Sequence, residues 1–189
     1  MISKPFITKL KKDIEATDAG RGKVIRATHE LVQDAKNAIF KIHRGEMTEA
    51  RTLIHSIEKR LTKEVKDADK KKLRDQGSLK AAIEEFLEAY YLLLVIEGKL
   101  LPPKLSFAPE ADEQLAALSD LTGELVRAAT LEVTKKRYDT VRQYRDATEE
   151  LFGVLLSMNL RGNLRQKRDD ARRNLRRLEE ILYDVSLVS

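Results

Sequence analysis

The chain contains no cysteine and no tryptophan, and its 189 residues include only eight glycines, four prolines, five phenylalanines and five tyrosines. Without cysteine there are no disulfides, zinc–thiolate sites, iron–sulfur clusters or thiol nucleophiles. The scarcity of glycine and proline, with no strand-like alternation, leaves an all-α class dominated by Ala, Leu, Glu, Lys and Arg. Too few aromatics are present for a base-stacking platform, and no zinc finger or RNA-recognition sheet signature occurs. The longest wholly apolar stretch, Ala89 to Ile96, is far short of the ~20 residues a membrane span needs. Lys4 interrupts what would be the apolar core of an N-terminal signal. A soluble, cytoplasmic protein with no membrane partner is therefore expected. His29, His43 and His55 share no metal-ligand spacing and read as edge or surface histidines. Gly20-Arg21-Gly22-Lys23 lacks the strand, spacing and trailing hydroxyl of a phosphate-binding loop, and reads as a helix start or joint.

What is present is charge. Asp, Glu, Lys and Arg make up 35% of the chain, with a net charge of +5 that favours an acidic partner. The length suits one domain, 1–189, able to bury roughly 70% of its unfolded surface. A short amphipathic piece carries Phe6, Leu10 and Ile14, and the pattern loosens over residues 17–22. A long helix follows from about Lys23 to His43, with Val24, Ala27, Leu31, Ala35, Ala38, Ile39 and Ile42 inside. Gly45 closes it. The next runs from Met47 to about Leu73, and Gly77 separates it from the most hydrophobic helix, Leu79 to Leu100. A proline-bearing crossover follows, long enough for the next helix to start at a different end of the bundle. Helices over Glu110–Lys136, Tyr138–Met158 and Leu164–Val185 complete six or seven in an antiparallel bundle.

Two helices place acids in register. Within the apolar helix Glu85 and Glu88 share a face, and Asp120 and Glu124 do so in SDLTGELVRAA. Residues three or four apart on a helix have Cβ atoms ~5–6 Å apart, so each set is a close carboxylate pair. If the helices pack side by side, the four acids repel unless protons or cations intervene. All-oxygen ligation suits Mg²⁺ or Mn²⁺, which can activate water and offset charge on a phosphodiester. On spacing alone the commoner reading of such acids is helix N-terminal charge, or a solvated face with Arg127 paired to Glu124. Basic clusters occur at Arg21, Lys23 and Arg26, between Lys59 and Arg74, and between Arg161 and Arg177. Such residues hold phosphates without reading sequence; as a bland alternative, they are solvated helix ends.

Four segments in order resemble the family of translin and its partner TRAX. KVIRATHELVQDAKNAIFKIHR, residues 23–44, is similar to a TRAX helix ending I-F-x-x-H-R. EEFLEA at 84–89 resembles Q-E-Y-V-E-A, and SDLTGELVR at 119–127 is similar to A-D-L-T-G-E-L-M-R. RRLEEILYDVSL at 176–187 is similar to translin's K-K-V-E-E-V-V-Y-D-L-S-I. The resemblance implies a seven-helix all-α fold assembling as a hollow oligomeric shell, an octamer, around nucleic acid. In that family TRAX is a Mg²⁺-dependent endoribonuclease for single-stranded RNA, and translin is a basic, non-catalytic subunit. Its acids carry over to Glu85, Glu88 and Asp120 as catalytic and metal-binding residues, with Glu124 adjacent as a further ligand. Translin has arginine and phenylalanine where this chain has Glu85 and Glu88, so the chain sides with the catalytic partner. It lacks the long TRAX insert and C-terminal extension, which suggests a compact prokaryotic, archaeal-type homologue that assembles with itself. Gln76 and Ser78 stand at translin's histidine positions. Arg21, Lys23, Arg26, Arg74 and Lys80 are the expected phosphate contacts. The competing expectations are a shell that sequesters RNA or single-stranded DNA without cutting it, and a purely structural helical scaffold.

Overall fold

A computed structural model describes residues 2–71, 73–74 and 77–188, together with all side chains in those ranges except Lys23, Lys71 and Val188. Among the described residues there are six helices and no strand: α1 (Lys4–His43), α2 (Met47–Lys71), α3 (Gly77–Ile96), α4 (Ala111–Thr134), α5 (Tyr138–Leu156) and α6 (Gly162–Val188).

The expected joint at residues 17–22 is absent, because α1 is one continuous helix of 40 residues. Two glycines weaken a helix by roughly 1 kcal/mol each relative to alanine, but neither removes a hydrogen bond. Gly20 also has a packing reason: a methyl there would lie 3.4 Å from Leu73 Cδ1, where the α2–α3 connection crosses α1. The first half of α1 leaves the bundle. Residues 2–19 are exposed, Phe6, Leu10 and Ile14 included, so that stripe is left uncovered by the described residues.

The helices form two three-membered groups, α1–α2–α3 and α4–α5–α6, joined along α3 and α4. Within each group the short links make sequential neighbours antiparallel. After α1, Gly45 adopts φ +78° and donates to the Ile42 carbonyl, a left-handed cap that costs glycine least. Across the junction the crossover returns the chain so that the next helix starts at a different end of the bundle, as its length allows. Lys80 near the start of α3 meets Asp112 at the start of α4, and Glu88 further along α3 feels Asp120 and Glu124 further along α4. The two helices therefore run parallel, a connection that needs the crossover between them. Its Phe107 returns onto Phe86 of α3, ring centroids 6.0 Å apart.

α3 is the centre of the molecule. Leu79, Ile83, Phe86, Leu87, Tyr91, Leu92 and Leu93 are all buried, as expected of a helix whose second half has no polar face. Burying each such side chain contributes about 1.5–3 kcal/mol. Helix α6 buries a stripe at Ala171, Leu178, Ile181 and Val185. The same three-and-four spacing runs back through Asn174 to Lys167 and Leu164.

Candidate functional site

The parallel junction puts the acids of α3 and α4 together. Glu84, Glu85 and Glu88 lie on the flank of α3 that faces α4, and Asp120 and Glu124 lie about one turn apart on α4. All are partly buried. Burial, chiefly, pushes Glu84 and Glu85 above the usual carboxylate range, and in both cases the charge of Asp120 adds to it. Glu88 is pushed up to about 8, first by burial and then by the neighbouring charges of Asp120, Glu85 and Glu124. A shift of that size means that Glu88 carries a proton through much of the neutral range.

Four cationic or imidazole groups from three helices meet these acids. Lys36 of α1 lies 3.6 Å from Glu85. Lys167 of α6 ion-pairs with Asp120 and stands 3.8 Å from Glu84. His43 at the end of α1 donates from Nε2 to Glu124 at 2.5 Å, and Arg127 approaches the same carboxylate at 3.6 Å. Among the described residues Glu88 makes no hydrogen bond or ion pair. The donor chemistry, five carboxylates crowded against the apolar helix, suits a hard divalent cation. Their oxygens are nevertheless turned toward the amines: no three of His, Asp or Glu among the described residues are arranged to hold a metal ion.

Several partners in this cluster are not evident in the sequence. His43 is not an edge histidine, since its side chain is 3% exposed and its Nδ1 is buried without a partner. Glu84 is not merely solvated but sits at the rim beside Lys167. Lys36 and Lys167 are distant in sequence from every acid they touch. The one local signal is Lys167's place in the buried stripe of α6, where a charged residue demands a partner.

The basic residues divide. Arg21 and Arg26 are exposed, the former with a loose contact to Asp18, while the side chain of Lys23 lies outside the described residues, as does Gln76. Arg74 is not free to meet phosphate. Its guanidinium makes two bonds, of 2.6 and 2.7 Å, to the fully buried Glu113. Glu113 also accepts the Glu110 backbone N–H at 2.7 Å as half of a capping box. Lys80 is committed to Glu110 and Asp112, 3.2 Å from each. An unpaired positive face lies on α6: Arg165, Arg172 and Arg176 share one side, border a shallow hollow with Arg168 and Arg173, and make no ion pair among the described residues. A second hollow on α2 is rimmed by Lys59, Lys63, Lys66 and Lys70. A groove of about 840 Å³ between the end of α3, the crossover and α5 is mainly apolar and is lined by none of the clustered acids.

With this arrangement in view, the comparisons with known proteins are direct. The Translin family model matches residues 7–188. The chain belongs to the Translin family. The fold agrees with solved structures of similar proteins. The crystal structure of apo-NeC3PO superposes with a TM-score of 0.84 at 18% identity, covering 97% of this chain and 98% of that one. The structure of an AfC3PO–duplex RNA complex gives 0.84 at 19%, covering 96% and 97%. The crystal structure of AfC3PO gives 0.82 at 20%, covering 96% and 97%. Among curated proteins, none matches the chain by sequence. Among the described residues no helix is long and apolar enough to cross a membrane.

Proposed function

We propose that this Translin-family chain binds nucleic acid and, with Mg²⁺ or Mn²⁺, cleaves single-stranded RNA inside a shell built from copies of itself, an octamer by resemblance to the family. The observation that carries the reading is the convergence of Glu85, Glu88, Asp120 and Glu124 from two parallel helices. Mutual repulsion of this kind is relieved by protons, by ammonium groups or by a metal cation, and a cation would join acids from both helices. Glu85, Glu88 and Asp120 would hold the ion, with Glu124 as the fourth candidate ligand. Bound there, a divalent cation would activate water and offset charge on the scissile phosphate.

The chain's own residues do the rest. His43 fixes the orientation of Glu124 from a buried position. The packed face of α3 excludes water behind the acids, which strengthens their electrostatic effect. The arginines of α6 lie on the exposed side of that helix, opposite Lys167, and would grip a strand by its phosphates. Nucleic-acid binding is supported by family membership, and by the duplex RNA in the complex of its structural relative AfC3PO. Arg21, Lys23 and Arg26 remain candidates for further phosphate contacts. Arg74 and Lys80 drop out as contacts because their charges are already used.

The test is cleavage of end-labelled single-stranded RNA with Mg²⁺ or Mn²⁺ present. Glu85→Ala and Asp120→Ala should abolish cutting while retention of the RNA on a filter persists. Wild-type protein that retains RNA but never shortens it would sink the enzymatic reading. The remaining reading is then a non-catalytic binder of single-stranded RNA or DNA, which the lysine pairing of the acids favours. A purely structural scaffold predicts no salt-sensitive RNA binding at all.

A further inference from the structure

We propose that Lys167 is a tethered counter-ion of the acid cluster, one that holds Asp120 and Glu84 together in the metal-free protein and opposes the entry of a divalent cation beside Asp120. This inference rests on the reading of the cluster as a metal site.

Three observations carry it. Lys167 occupies a position of the α6 stripe that otherwise packs inward, between Leu164 and Ala171, and its side chain is only 16% exposed. A lysine is placed there at a cost in desolvation, and that cost is offset only by nearby negative charge. Its ammonium ion-pairs with Asp120 and lies 3.8 Å from Glu84, so one amine bridges an acid of α4 and an acid of α3. It also acts on the acids it does not touch, since its charge opposes the upward shift of Glu85 and of Glu88. By contrast Lys36, the other lysine at the cluster, is 56% exposed and meets Glu85 alone at 3.6 Å.

The consequence follows from electrostatics. Lys167 holds Asp120 through Oδ2, so a divalent ion binding the same carboxylate would sit close to the ammonium and be repelled by it. The four-carbon stem lets the ammonium swing away from Asp120 as metal enters, without shifting α6. In the absence of metal the same ammonium keeps five clustered carboxylates compatible with a folded junction. Lys167 is a positioning residue in this account, acting on the reaction through the acids.

The experiment is a Mn²⁺ titration of the metal-stripped full chain, without nucleic acid, following free Mn²⁺ by its paramagnetic resonance signal. Lys167→Met, which keeps the stem and removes the charge, should bind Mn²⁺ about tenfold more tightly than wild type. Lys167→Arg, still cationic, should stay near the wild-type affinity. Lys36→Met, at an exposed pair, should change it by no more than about threefold. Thermal melting supplies the second readout: Lys167→Met should melt lower than wild type in EDTA and gain more from added Mn²⁺. Lys167→Gln serves in the same two measurements if the methionine variant does not fold. Measurable binding by wild type with no tightening in Lys167→Met overturns this proposal and leaves the metal site standing. No Mn²⁺ binding by either protein overturns both.

Discussion

Two glutamates inside this fold have opposite fates. Glu113 is fully buried and completely answered, by both arms of the Arg74 guanidinium and by a backbone N–H of its own helix start. Glu88 is largely buried and makes no hydrogen bond or ion pair among the described residues, and burial first, then the charges of Asp120, Glu85 and Glu124, push it up to about 8. The first joins the α2–α3 connection to α4. The second makes no such join, and the cluster around it is balanced by Lys36 and His43 of α1, Lys167 of α6 and Arg127 of α4. The satisfied acid holds elements together, whereas the proposed function gives the unanswered one a ligand to meet.

The contrast can be broken at its strong end. Arg74→Ala leaves Glu113 buried without its cation and should cost about 3–5 kcal/mol in urea unfolding. A loss below about 1 kcal/mol would show that Glu113 is not the structural acid it is taken to be. Glu88→Gln should do the reverse. The raised pKa means that folded protein holds a proton on Glu88 that unfolded chain releases above about 4.5. Stability is therefore lost as pH rises from about 4.5 to about 8. The glutamine variant should escape that loss, and be more stable than wild type by on the order of 2–4 kcal/mol at pH 8.5 but almost equal to it near pH 4.5.

The same division runs through the arginines. Those of α6 without partners should act on binding and leave stability alone. Replacing Arg165, Arg172 and Arg176 together by alanine should reduce the slope of log affinity against log salt for single-stranded RNA by about 2. The thermal midpoint should barely move. Smallest of all, Lys80→Ala removes an ion pair nearer solvent than that of Arg74, and should cost only about 0.5 kcal/mol. If it matched Arg74→Ala, burial would not be what separates the two.

Much of this architecture is legible in the order of the residues alone. Periodicity locates the helices to within a few residues, and the apolar second half of α3 announces its burial. The two acid pairs are visible as spacing, since neighbours along a helix are fixed by its pitch. What spacing does not supply is partnership across helices. Nothing local links Lys36 to Glu85, His43 to Glu124 or Arg74 to Glu113, because those contacts are made by packing. Nor do two glycines in α1 signal their indifference to the helix they sit in. They look like a joint until Leu73 is seen resting against one of them. The parallel run of α3 and α4 likewise depends on where the crossover lands, which its composition does not encode.

The stripe of α6 has one more effect, on alignment. Lys167 faces Asp120, and seven residues later Asn174 donates to Thr122 at 2.9 Å. The apolar members of the stripe recur with the same spacing, so a slide of α6 by one heptad would still offer α4 a greasy edge. It would also set Asn174 before Asp120 and Ile181 before Thr122, leaving the acids without their lysine and the hydroxyl beside a hydrocarbon. The polar pair thus keys the axial position of the helix, as single polar residues do in coiled coils. The side chain that balances the candidate site is also what tells α6 where to stop.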